Sequence, residues 1–136
     1  MGHNLMQLEN GKMSTHCQIG LYTDKSDRIY YPVAIIYKHS DGIPRQILPL
    51  IQPFLERILQ HRKNMSYVSA WLLHHLISVH MINGYPNYIE HGICDQILTD
   101  SIDYYYRINP GNIEVYEVTS GNCEEWPLLE TISLAG

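Results

Sequence analysis

Three observations predict an α+β fold. Alternating apolar residues occur in paired segments toward both ends of the chain. Apolar residues at helical spacing fill its middle, and turn-forming residues separate one segment from the next. The expected order is strand, strand, helix, helix, strand, strand. Merging the two hairpins into one antiparallel sheet, with the helix pair on one face, gives a two-layer sandwich. At 136 residues the chain suits one domain. Residues 1–14 are polar and unpatterned and read as a flexible leader, which leaves 15–136 as the α+β domain.

From His16 to Tyr22, Cys17, Ile19 and Leu21 alternate with His16, Gln18 and Gly20, as in a half-buried strand. Thr23 to Asp27 turn the chain. Arg28 to Lys38 is rich in β-branched and aromatic residues and reads as the second strand. Pro32, with no N–H to give a ladder, demands an edge or a bulge there. Ser40 or Asp41 then stands where a helix cap is needed, before Gly42-Ile43-Pro44. Ile47, Ile51, Phe54, Leu55 and Ile58 place a helix over 46–62, its start shortened or bent by Pro49 and Pro53. A second helix runs from Ser66 to about Ile82, apolar almost all round, and Asn83-Gly84 ends it. Such a helix belongs at the centre or at an oligomer interface. Tyr104–Ile108 and Ile113–Val118 form a hairpin across Asn109-Pro110-Gly111-Asn112. The tail from Ser120 carries Trp126, Leu128 and Leu129 and is expected to dock.

Composition excludes several functions. Nine Lys and Arg against 14 Asp and Glu give a formal charge of −5, so nucleic acid is an unfavoured partner. No Gly-rich phosphate loop or GxSxG motif occurs, which removes P-loop NTPases, ordinary Rossmann enzymes and standard α/β-hydrolases. Cys17, Cys94 and Cys123 are odd in number and form no CxxC pair, so reduced thiols in a cytoplasmic protein are expected. No secretory signal or membrane span is read in the sequence.

The run Ile35-Ile36-Tyr37-Lys38-His39-Ser40-Asp41-Gly42-Ile43-Pro44, with Trp71, Ile102 to Tyr106 and Ile113 to Val118, resembles small proteins of bacteria and their phages. Those proteins share a strand ending in Tyr-x-His-x-Asp-Gly-Tyr-Pro. The resemblance spans roughly residues 17–118. Ile43 stands where the shared pattern has Tyr. The resemblance implies a bacterial or mobile-element origin and brings no catalytic residue with it.

Candidate binding residues are His39 and Asp41, His75, and the run Tyr104, Tyr105 and Tyr106, which could stack on a ligand or meet a protein. The plainer alternatives are a turn histidine with a capping aspartate, a hydrogen-bonded core histidine, and cross-strand tyrosine packing. A second hypothesis joins His39, Asp41, His74 and His91 around a divalent metal in a small hydrolase or nuclease, resting on eight histidines in the chain. His74 and His75, as helix neighbours, diverge too far to share one ion. Cys94 lies close to His91 in sequence, the arrangement a thiol nucleophile would need. No cofactor is expected. The first reading is a non-enzymatic, homo-oligomeric binding protein for a protein or a small molecule. Such a protein could serve as a phage factor that inhibits or sequesters a host component.

Overall fold

A computed structural model describes residues 15–134; the expected leader at 1–14 lies outside the described residues. Strands β1 (Cys17–Leu21) and β2 (Ala34–Lys38) are followed by helices α1 (Pro44–Ile58) and α2 (Met65–Val79). Strands β3 (His91–Cys94), β4 (Tyr104–Ile108), β5 (Asn112–Glu117) and β6 (Leu128–Ser133) complete the chain. The fold is α+β, with one six-stranded sheet in the order β3-β2-β1-β4-β5-β6.

The expected strand order needs correcting, because β3 and β6 are additional. The sheet is also mixed: β1 and β4 run parallel, and every other neighbouring pair is antiparallel. The two expected hairpins do form, β1–β2 and β4–β5. β3 fills the open edge of β2, so the second hairpin joins through β1, and the two first strands run side by side in the same direction.

Both helices lie on one face. Ile47, Ile51 and Leu55 of α1 and Val68, Leu72 and Leu76 of α2 share a core with Ile19, Ile36, Tyr106 and Val115 of the sheet. The other face is covered by irregular chain, where Tyr22, Ile29, Ile102, Tyr105, Cys123 and Trp126 make a second core. The tail docks through β6 and the buried Trp126.

Local differences from the sequence reading have physical causes. The second strand starts at Ala34 rather than Arg28, because the segment through Pro32 leaves the ladder and covers the second face. Helix α1 begins at Pro44 and contains both Pro49 and Pro53. Each proline deprives the carbonyl four residues earlier of its partner. Both prolines lie on the exposed side of the helix. Neither Ser40 nor Asp41 caps this helix: its N-cap is Ile43, without a side-chain bond. The N-cap of α2 is Asn64, whose side chain accepts from the Ser66 N–H.

That second helix stops at Val79, three residues short of Asn83-Gly84. Asn83 (φ 53°) and Gly84 (φ 83°) instead form a two-residue turn between the paired residues Ile82 and Tyr85. Nor is α2 central. It buries Met65, Val68, Leu72 and Leu76 and leaves Tyr67, Trp71 and Val79 outside.

Candidate protein-binding face and its polar anchor

Strand alternation sends Ile36 and Lys38 toward the helices. An ammonium in that position must be paired, and Lys38, fully buried, has three partners. Its Nζ donates to Glu90 Oε2 at 2.9 Å, to the Ser40 carbonyl at 2.7 Å and to His80 Nε2 at 3.4 Å. His80 donates from Nδ1 to the Leu76 carbonyl, which leaves Nε2 free to accept from Lys38. Glu90 also accepts from the Ser40 amide at 2.9 Å and from Ser40 Oγ at 2.8 Å.

Burial alone would push the Glu90 carboxyl up, but hydrogen bonds from Lys38 and Ser40 and the Lys38 charge hold it below its ordinary value. His91 sits edge-on to His80, ring centroids 5.4 Å apart. Burial, then the Lys38 charge, lowers its pKa to about 4. Its Nε2 is buried with no hydrogen-bond partner among the described residues.

This anchor grips the 80–90 connection at both ends, through His80 and Glu90. Between them the chain projects Met81, Ile82, Tyr85, Tyr88 and Ile89 into solvent; Tyr88 is 82% exposed and Ile89 76%. Tyr67, Trp71 and Val79 of α2 and Ile93 of β3 are exposed as well, and α2 packs against β3. The chain is 17% charged overall, yet across 64–94 its only Asp, Glu, Lys or Arg is Glu90, which is neutralised and buried. A nearby charge from outside the stretch is Arg62, stacked on Tyr67 at 4.3 Å.

The sequence candidates fall in separate places. His39 bonds Tyr37 through Nδ1 at 2.9 Å and stacks on His16 at 4.5 Å; the His16 Nδ1–H donates to the His39 carbonyl. Asp41 is exposed at φ 57° and turns the chain toward α1. His74 is exposed beside Trp71. His75 stacks on Phe54 and donates from Nε2 to the Leu50 carbonyl, joining the two helices. Among the described residues no group of three or more His, Cys, Asp or Glu is disposed to hold a metal ion. His91 and Cys94 lie three apart on β3, so alternation points them to opposite faces.

The tyrosine run is not an exposed surface. Tyr105 and Tyr106 are fully buried and Tyr104 partly so. Tyr105 donates to Tyr22 Oη, Tyr22 donates to the Ile29 carbonyl, and Tyr106 donates to the Gly42 carbonyl, each at 2.6 Å. Burial pushes the Tyr22 hydroxyl and the Cys17 thiol up to about 12, so neither ionises near neutral pH.

Lys38, His80 and Glu90 are the residues that sequence reasoning missed. One signal was available: a lysine at an inward parity position in an otherwise apolar strand requires a buried partner. No helix among the described residues is long and apolar enough to cross a membrane. Comparison with protein-family models, with curated proteins and with solved structures finds no match.

Proposed function

We propose that the chain is a small binding protein that holds another protein against the face built by α2, the 80–90 connection and β3. The observation that carries this reading is a coincidence of two properties. The stretch that exposes the most large apolar side chains is also the stretch without exposed Asp, Glu, Lys or Arg. Interface centres are depleted in charge and enriched in Tyr, Trp and Met, as this face is. Isolated exposed apolar residues need no explanation, but a contiguous set does. The anchor at its base supports the same reading, because a loop pinned at both ends loses less conformational entropy on binding. A factor that sequesters a host protein would use such a face. The metal-dependent alternative has no observation of comparable weight.

Site-specific photo-crosslinking tests the proposal. A photoreactive phenylalanine analogue replaces Tyr85 or Trp71 on the face, or Tyr31, an exposed residue of the segment that covers the opposite side of the sheet. The expected result, on illuminating cells that make the protein, is a discrete adduct from positions 85 and 71 and none from 31. Equal labelling at all three positions, or none at any, overturns it.

A further inference from the structure

On the sheet face away from the helices, strand alternation presents Arg107 of β4 and Tyr116 of β5 on the side of the second core. The segment Asp27-Arg28-Ile29 and the single turn Cys123–Glu125, followed by Trp126, border the same space. Between these pieces lies a cleft of about 350 Å³, at the lower end of the range for small-molecule sites. We infer that this cleft binds a free α-amino acid with an apolar side chain, its carboxylate taken by Arg107 and Arg28 and its ammonium by Asp27 and Glu124.

The state of Arg107 is the first ground. Its guanidinium lies over the Tyr22 ring, 4.7 Å from the centroid, and donates from Nη2 to the Asp27 carbonyl. Its Nε is buried with no hydrogen-bond partner among the described residues. Glu114 stands across the ladder from Arg107 but accepts from the Tyr116 hydroxyl at 2.9 Å. Arg107 makes no ion pair among the described residues. A guanidinium cannot shed its proton to escape burial, as an amine can. Lys38, also withdrawn from solvent, has Glu90 against it at 2.9 Å. Arg107 has a carbonyl, a ring and the cleft, and an anion entering the cleft would supply the missing counter-charge.

The second ground is the balance of charge around the cleft. Arg28 and Arg107 border it together with Asp27 and Glu124, and none of the four makes an ion pair among the described residues. A simple anion would meet the two carboxylates, and a simple cation the two guanidiniums. A molecule that carries both charges a bond or two apart, with no net charge, suits both pairs. Asp27 Oδ2 accepts from the Asp24 amide at 3.0 Å, which orients that carboxylate and leaves Oδ1 for the ammonium.

The third ground is the apolar wall. Ile29 and Trp126 line the cleft and are otherwise buried. The Trp126 ring is fixed before any ligand arrives: Nε1 donates to the Ser120 carbonyl at 2.9 Å, and the ring packs on Tyr105 with centroids 5.8 Å apart. An apolar side chain laid on that wall loses water without asking the wall to reorganise.

Isothermal titration calorimetry of the full chain with L-leucine, L-methionine and L-phenylalanine tests the inference. At least one should bind with a Kd below about 1 mM. Its deaminated acid and its amide each keep one of the two charges; for phenylalanine these are 3-phenylpropionate and phenylalaninamide. Both should bind at least about 10-fold more weakly. Arg107→Gln should weaken binding about 10-fold or more. Glu124→Gln, at an exposed position that leaves the fold intact, should weaken it about 3-fold. Should Arg107→Gln fail to fold, Glu124→Gln and the two analogues still decide the matter. No binding of any of the three amino acids at about 10 mM overturns the inference. A deaminated acid that binds as tightly as its amino acid also overturns it, in favour of a site for a carboxylate alone. Undiminished binding in the variants would put the ligand elsewhere. The cleft and the α2 face lie on opposite sides of the sheet, so either proposal can fail without the other.

Discussion

At the scale of single residues, Lys38 concentrates the chemistry of this chain. A fully buried ammonium is tolerated because Glu90, Ser40 and His80 all face it. Replacing one partner of such a pair strands the other charge, which costs more than the pair itself contributes. Lys38→Met should therefore destabilise the protein by about 3–5 kcal/mol. The Lys38→Met/Glu90→Met double variant should lose markedly less than the sum of the single losses. Urea midpoints for the four proteins check this; additive losses would remove the pair from its anchoring role. The tyrosines teach the same lesson in reverse. Tyr105 alternates as a strand residue should, but alternation cannot say whether its face meets solvent or a layer of irregular chain. The segments that bury it, carrying Ile29, Ile102 and Trp126, have no periodicity to announce them.

At the scale of elements, the joint between β2 and α1 is a tight point of the chain. Asp41 adopts φ 57°, and the Gly42 N–H donates to the Thr15 carbonyl at 3.0 Å. A Cβ at Gly42 would lie 2.9 Å from both Cys17 Cβ and the Thr15 carbonyl oxygen, and the backbone oxygen cannot swing aside. Gly42→Ala is expected to cost about 1–3 kcal/mol. Gly92→Ala, with open space around it, should stay within about 0.5 kcal/mol. Thermal unfolding of the two variants makes the comparison, and equal losses would contradict the geometry. Four strands and both helices were legible because their apolar positions repeat at period 2 or 3.6. β3 was not: it has four residues, two of them His91 and Gly92, and it exists because β2 offers it an edge. Asn83-Gly84 was read as a helix stop because the same residues serve a helix end and a hairpin turn. Only the pairing of Ile82 with Tyr85 separates the two roles. The absence of Asp, Glu, Lys and Arg from 64–94 outside Glu90 is plain in the sequence, but its meaning depends on Glu90 being buried while Tyr85, Tyr88 and Ile89 are not.

At the scale of the whole molecule, the polar anchor ties folding stability to pH. His91 ionises near its ordinary value of about 6.5 in the unfolded chain, whereas in the fold burial and the Lys38 charge lower its pKa to about 4. Between these values the unfolded chain holds the extra proton, so stability must fall as the pH drops from about 6.5 to about 4 and then stop changing on this account. Glu90 acts in the same direction but lower down. Its folded pKa lies below its unfolded one, so its contribution is complete above the ordinary carboxylate range and is lost as the pH falls through the folded value. The two limbs join into one acid-sensitive slope. A His91→Gln variant should remove the upper limb, from about 6.5 to about 4, and leave the lower one in place. Glu90→Gln should do the opposite, at a cost in stability at neutral pH because Lys38 then loses its counter-charge. Urea unfolding of the three proteins at closely spaced pH values reads both limbs directly. A wild-type stability that stays flat between pH 7 and pH 4.5 would contradict the depressed His91 and, with it, the dry, positively charged surroundings assigned to this end of β3. Because the same anchor holds the 80–90 connection, acid should also weaken association through the face before the sheet itself unfolds.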